Sequence, residues 1–185
     1  MLAMLGRLGT EQDVYDSASP RVASENTAIA LAERGVRSSV IRLAPTVHGE
    51  GDKHGFITSL IGIARAKGVS AFVGDGSNRW PAVHRLDAAR LYRLAVEGAP
   101  AGTRLHGAAE EGVPFREIAE AIGRQLKLPV ASVTAEQASA HFGFLFPFVA
   151  YDNPTSSALT RQRLGWQPQG PKLIPDIEQG HYFTY

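Results

Sequence analysis

The chain contains no cysteine, which excludes disulfides, thiol nucleophiles and thiolate metal ligands and fits a reducing, cytoplasmic setting. It has no apolar run approaching the roughly 18 residues of a membrane helix. Its apolar opening, Met1 to Gly6, lacks a basic flank and is broken by Arg7, so neither a membrane span nor a secretory leader is expected. Charge of one sign is also missing: 19 Lys and Arg face 18 Asp and Glu, a formal net charge of +1. No electrostatic pull toward nucleic acid or an anionic membrane surface follows from that balance. No Gly-x-Ser-x-Gly turn is present to expose a nucleophilic serine, so Ser-His-Asp hydrolysis has no support.

What the sequence does contain is a recurring alternation. With 185 residues, 44% of them hydrophobic, it can bury a core as one compact unit. Ser19 and Pro20 form an N-cap and first-position pair, and Gly35 follows Glu33-Arg34, so residues 20–34 read as a helix. A β-like run follows from Val36 to Leu43. Phe56, Leu60, Ile61, Ile63 and Ala64 repeat at helical spacing up to Lys67-Gly68, and Ser70 to Val73 reads as a strand. Asp87 is placed to cap a helix carrying Ala88, Leu91, Leu94 and Ala95 up to Gly98, with Arg104 to His106 as another short strand. Pro114 opens an amphipathic segment on which Phe115, Ile118, Ala119, Ile122 and Leu126 share one face.

Beyond Val133 the pattern turns helical and aromatic. Phe142, Phe144, Phe146 and Phe148 read as core or a pocket wall, and Ser156 to Leu164 as a helix stopped by Gly165. The class is α/β: a partial Rossmann-like parallel sheet over about 19–110, then a mostly helical substrate lobe over about 111–185.

Several stretches, in order, carry a resemblance. Ser19-Pro20-Arg21-Val22-Ala23-Ser24-Glu25 is similar to a Ser-Pro-Tyr-x-x-Ser-Lys segment, with Arg21 at the tyrosine and Glu25 at the lysine. Val40 to Gly51 is similar to a strand followed by a Pro-Thr-Val-Tyr-Gly-Pro-Gly loop, with His48 at the tyrosine. Val73-Gly74-Asp75-Gly76-Ser77-Asn78-Arg79 and Val83-His84-Arg85-Leu86-Asp87 match a Gly-Asp-Gly-x-x-Arg-x-x-x-Val-His-Val-x-Asp stretch. Leu164-Gly165-Trp166-Gln167-Pro168 matches a closing Leu-Gly-Trp-x-Pro. Together these resemble the C-terminal half of extended short-chain dehydrogenase/reductases, the NAD-dependent epimerase/dehydratase family. The likeness runs from about residue 10 to 183. The family's glycine-rich turn, which brings a helix start to the pyrophosphate, does not occur in this sequence.

The resemblance implies NAD or NADP as cofactor and a small carbonyl, alcohol or sugar-like substrate. In the family the tyrosine moves a proton while the lysine holds the nicotinamide ribose. An arginine does not deprotonate in proteins, and a carboxylate cannot replace the lysine's charge, so Arg21 and Glu25 are either a rewired site or an i,i+4 ion pair on a helix. His48 is either an acid/base residue in a loop after the strand or an ordinary hydrogen-bonded histidine. Pro45, Thr46 and Val47 fall where the family contacts the nicotinamide through its backbone.

Arg79, Trp80 and His84 fall at the substrate. Arg79 and Trp80 offer a bidentate anion contact and a stacking face, or else a turn arginine packed on a tryptophan, and His84 with Asp87 suits the organisation of a turn into the next helix. His48, Glu50, Asp52 and His54 lack paired metal-ligand spacing, and no metal is expected. Two functions follow as expectations, an oxidoreductase related to this family and a non-catalytic ligand-binding or regulatory module derived from it. An uncovered sheet edge predicts a homodimer, or a complex with another chain.

Overall fold

A computed structural model describes residues 6–15 and 20–184. The helix start expected at Ser19 and the apolar opening at Met1 to Leu5 lie outside the described residues. The first helix, α1, runs Pro20–Ala30 and continues as a 3-10 turn over Leu31–Arg34. It stops where Gly35 takes φ +78°, a left-handed conformation that glycine adopts without a Cβ clash.

Strand β1 (Ser39–Leu43) pairs in parallel with β5 (Thr103–Gly107), placing Ile41 beside Leu105. The strand begins at Ser39 rather than Val36, because the chain is still leaving the 3-10 turn. At Pro45 the chain changes sheets: proline has no N–H for the ladder, and the next strand, β2 (Thr46–His48), pairs instead with β4 (Arg79–His84) in parallel. On its other side β4 pairs antiparallel with β6 (Glu110–Pro114). A third sheet joins β3 (Ser70–Val73) and β7 (Val130–Val133) in parallel.

The helices cover these sheets with the faces that the periodicity marks. Helix α2 (Phe56–Lys67) buries Ile57, Leu60, Ile61 and Ala64, and α4 (Phe115–Leu126) buries Phe115, Ile118, Ala119 and Ile122. Helix α3 (Arg85–Gly98) is capped by His84, whose Nδ1 accepts from the Leu86 N–H at 3.4 Å. This corrects the capping role expected of Asp87. The Asp87 carboxylate lies in the first turn and accepts the N–H groups of Gln169 and Gly170 at 3.0 and 2.8 Å, tying α3 to the chain after Trp166.

Short helices α5 (Ala135–Phe142), α6 (Phe146–Val149), α7 (Ala158–Leu164) and α8 (Leu173–Glu178) complete the fold. Helix α5 carries a capping box made by Thr134 and Gln137. The largest core cluster joins α2, β3 and β4 to α4, α5 and α8. A second packs Val83, Leu91 and Trp166 together. Of the four clustered phenylalanines, Phe142 is buried and Phe146 and Phe148 are half-buried, but Phe144 is 70% exposed. It is neither core nor pocket wall, because the 3-10 turn at Gly143–Leu145 rotates it outward.

Candidate functional site

An open cleft of about 570 Å³ lies between the start of α1 and β1, lined by Tyr15, Arg21, Ser24, Glu25, Ile41 and Arg42 among others. Its organising group is Arg42, a charged residue in an otherwise apolar strand and only 2% exposed. Arg42 Nε donates to Glu25 Oε2 at 2.9 Å, and Nη2 donates to Glu25 Oε1 and to the Asp13 carbonyl. Its Nη1 lies 3.3 Å from His106 Nε2. The opposite His106 nitrogen, Nδ1, donates to the Ser156 carbonyl at 2.8 Å, which leaves Nε2 as the acceptor. The guanidinium also sits 4.5 Å from the centre of the Tyr15 ring.

Arg104 Nε adds a third hydrogen bond to Glu25, at 2.7 Å. Burial works to raise the Glu25 carboxyl, but the hydrogen bonds from Arg42 and Arg104 outweigh it and hold the group below the usual carboxylate range. The i,i+4 pair expected between Arg21 and Glu25 is therefore corrected. Glu25 turns down to the sheet, while Arg21 stays exposed on the cleft wall.

The second group is enclosed. His48 is not in a loop but is the last residue of β2, and it is 1% exposed. Its Nδ1 lies 2.8 Å from Asp176 Oδ2, across 128 residues of sequence, and its Nε2 has no protein partner among the described residues. The Tyr182 hydroxyl donates to the same carboxylate at 3.3 Å and accepts from the Gly49 N–H at 2.8 Å. Burial pushes the Asp176 carboxyl up, yet hydrogen bonding from His48 prevails and keeps it below its ordinary value. Burial pushes the Tyr182 phenol up. The ring of His84 crosses that of His48 edge-on, with 5.5 Å between centroids. Burial, then the neighbouring His48, holds His84 below the ordinary histidine value. His48 and its neighbours bind the C-terminal segment to β2.

Thr46 is buried, with its Oγ1 unpartnered among the described residues, and Pro45 and Val47 are half-buried beside it. Trp80 is 2% exposed. Its Nε1 donates to the Phe148 carbonyl at 3.0 Å, and its ring meets Phe115 edge-on. The expected stacking face is therefore occupied by core. Arg79 lies on β4, not in a turn, and its fork is taken by Asp152 at 2.9 and 2.7 Å. Arg79 and Trp80 are adjacent on an extended strand, so their side chains point to opposite faces.

Asp152, Asp176 and Tyr182 have no signal in the sequence, since Arg79, His48 and Gly49, which they meet, lie 73, 128 and 133 residues away. Arg42 had one: an arginine between Ile41 and Leu43 in a strand calls for a buried counter-charge. Among the described residues, no group of three or more His, Asp or Glu is arranged to hold a metal, and no helix is long and apolar enough to cross a membrane.

The tyrosine and lysine chemistry that the resemblance implies is absent at positions 21 and 25. Glu25 is bound to two arginines, and an arginine does not deprotonate in proteins. No hydride step is therefore assigned to these residues.

No family model matches the chain. It is 52% identical over 184 residues to an uncharacterized protein of Schizosaccharomyces pombe, covering 99% of this chain and 62% of that protein. It is 45% identical over 177 residues to an uncharacterized protein of Saccharomyces cerevisiae, covering 95% and 59%. The chain thus spans about 60% of the length of these curated relatives.

Among solved structures it is similar to the dTDP-glucose 4,6-dehydratase DesIV of Streptomyces venezuelae with NAD and TYD bound. The TM-score is 0.70 at 20% identity, over 95% of this chain and 53% of that one. It is also similar to RMD of Pseudomonas aeruginosa complexed with NADPH, with TM-score 0.67, 16% identity, and coverage of 98% and 62%. A nucleoside-diphosphate-sugar epimerase of Pseudomonas aeruginosa gives TM-score 0.70 at 19% identity, with coverage of 96% and 60%. The α/β architecture is that of these dehydratases and epimerases.

Proposed function

We propose that the chain is the substrate-side part of an NAD(P)-dependent oxidoreductase or epimerase of the short-chain dehydrogenase/reductase type, acting on a small carbonyl, alcohol or sugar-like molecule. One observation carries the reading. Among the described residues β1 is paired on one edge only, with β5, and the cleft lies along β1. A parallel sheet is ordinarily flanked and covered on both sides, so a nucleotide-binding βαβ unit laid parallel to β1 completes it. The solved neighbours extend well beyond the matched region and have room for such a unit. When bound, the nicotinamide supplies the hydride chemistry. The residues of this chain wall the substrate side and anchor the Pro45 to Val47 segment through the His48–Asp176 contact.

Titration with NADH and NADPH, followed by fluorescence, tests this reading. The chain alone gives no saturable binding. Mixed with the remaining portion of the Schizosaccharomyces pombe relative, it forms a complex that binds one of the two cofactors. Low-micromolar binding by the chain alone, or no complex in the mixture, overturns it.

A second reading rests on the Glu25–Arg42–Arg104 cluster, which leaves no proton relay at these positions. It makes the chain a ligand-binding or regulatory module derived from the same fold. Ligand stabilisation that is independent of any nicotinamide favours this reading.

A further inference from the structure

Among the described residues, two guanidiniums and one carboxylate line the cleft beside β1. Two guanidiniums, Arg42 and Arg104, are hydrogen-bonded to Glu25, and a third, Arg21, lines the same cleft without joining them. Two other acids lie close by: the Asp13 carboxylate is bound by Arg7 at 3.2 Å and by the Thr10 N–H at 2.7 Å, and the buried Glu11 accepts from the Thr160 N–H and hydroxyl at 2.7 Å. The hydrogen bond from Arg7 is the main reason the Asp13 carboxyl is held down at about 2. The first turn of α1 carries no acidic side chain, and among the described residues no carboxylate pairs with Arg21. Arg42 cannot rotate away to solvent, since it is enclosed and held by Glu25, the Asp13 carbonyl and His106. Its charge is a permanent feature of the cleft floor, and the Tyr15 ring forms a wall against it.

We infer that this cleft binds a small molecule through an anionic group, a carboxylate or a phosphate. Arg21 is the movable clamp, Arg42 the fixed field and Tyr15 the flat wall. A guanidinium matches either anion with two parallel hydrogen bonds. An exposed guanidinium has its donors free for an incoming anion once its water is shed, whereas Arg42 and Arg104 are already committed. The assignment concerns the substrate rather than the cofactor. It narrows the small carbonyl or alcohol of the proposed function to an acidic one, but the site stands on the charge of the cleft and needs no nicotinamide.

Calorimetric titration and thermal melting of the intact chain with sodium malonate and with inorganic phosphate, against sodium chloride at matched ionic strength, test the site. The expected result is saturable binding of at least one probe. The affinity falls roughly tenfold or more in Arg21→Gln, the loss of a charged hydrogen bond, and is unchanged in Arg93→Gln, an exposed arginine of α3 paired with Glu97. Binding of malonate alone identifies a carboxylate ligand, and binding of phosphate alone a phosphate ligand. No saturable binding beyond the chloride control, or equal binding in Arg21→Gln with an unchanged circular dichroism spectrum, overturns the inference. Because these titrations contain no cofactor, their failure is separable from failure of the complementation experiment.

Discussion

Arg42 Nε donates to Glu25 Oε2 at 2.9 Å, joining the middle of strand β1 to the helix above it. With Arg42 enclosed and Glu25 largely so, removing either partner strands a charge away from water. Glu25→Ala is expected to cost about 3–5 kcal/mol of folding stability in urea denaturation. Glu25→Lys, which places a cation against Arg42 and Arg104, is expected to cost more still. A loss below about 1 kcal/mol for Glu25→Ala, the size of an exposed pair, contradicts this account.

Acidification has a direction set by two buried histidines. His84 and His106 are both held below the ordinary histidine value, chiefly by burial. Each returns to that value on unfolding, so as the pH falls through it the unfolded chain takes up protons that the folded chain refuses, and stability declines. The carboxylates of Glu25 and Asp176 are likewise held below their ordinary values, and their contribution is lost only as the pH falls below their unfolded values of roughly 4. Urea stability is therefore expected to be flat above about pH 7.5 and to fall between roughly pH 7 and 5.5. The fall becomes shallower in His106→Gln. A flat profile across that window contradicts the burial of these rings.

Gly49 marks where the β2 segment passes His84. Its φ is +138°, and a Cβ added there would lie 2.8 Å from His84 Nε2. Gly49→Ala is expected to lose about 1–3 kcal/mol through backbone strain and overpacking. A crystal structure of the variant should show the Gly49 N–H displaced from Tyr182. Unchanged stability rules out the close approach.

Neighbouring residues on β4 should respond very differently. Trp80→Ala removes a fully enclosed indole and is expected to cost about 3–5 kcal/mol. Asp152→Asn loosens an exposed pair with Arg79 and should cost less than about 1 kcal/mol. Chemical denaturation of the two variants decides the point. If Trp80 formed a ligand wall rather than core, its truncation would leave stability nearly intact.

Local order was legible wherever the signal was local. Helix α2, strand β3 and the buried face of α4 follow from spacing alone, because a helix that shows apolar groups at every third and fourth position has one way to bury them. Termination at Gly35 and Gly165 is likewise a one-residue property, the tolerance of positive φ. At the start of α3 two groups that can cap a helix, His84 and Asp87, stand three residues apart. Only the chain after Trp166, arriving with two unpaired N–H groups, draws the carboxylate away.

The sequence by itself determined the elements, the α/β class and the presence of Arg21 and Glu25 one helical turn apart. Tertiary structure decided what those residues do. Nothing in the spacing of Arg21 and Glu25 distinguishes a helix pair from a cluster with Arg42 and Arg104, because a carboxylate goes to the least hydrated cations within reach, and reach is set by the packing of α1 on β1. The same holds for His48 with Asp176 and for Arg79 with Asp152. Periodicity records which face of an element is buried, but the identity of an ionic partner depends on which distant segment the fold lays against that face.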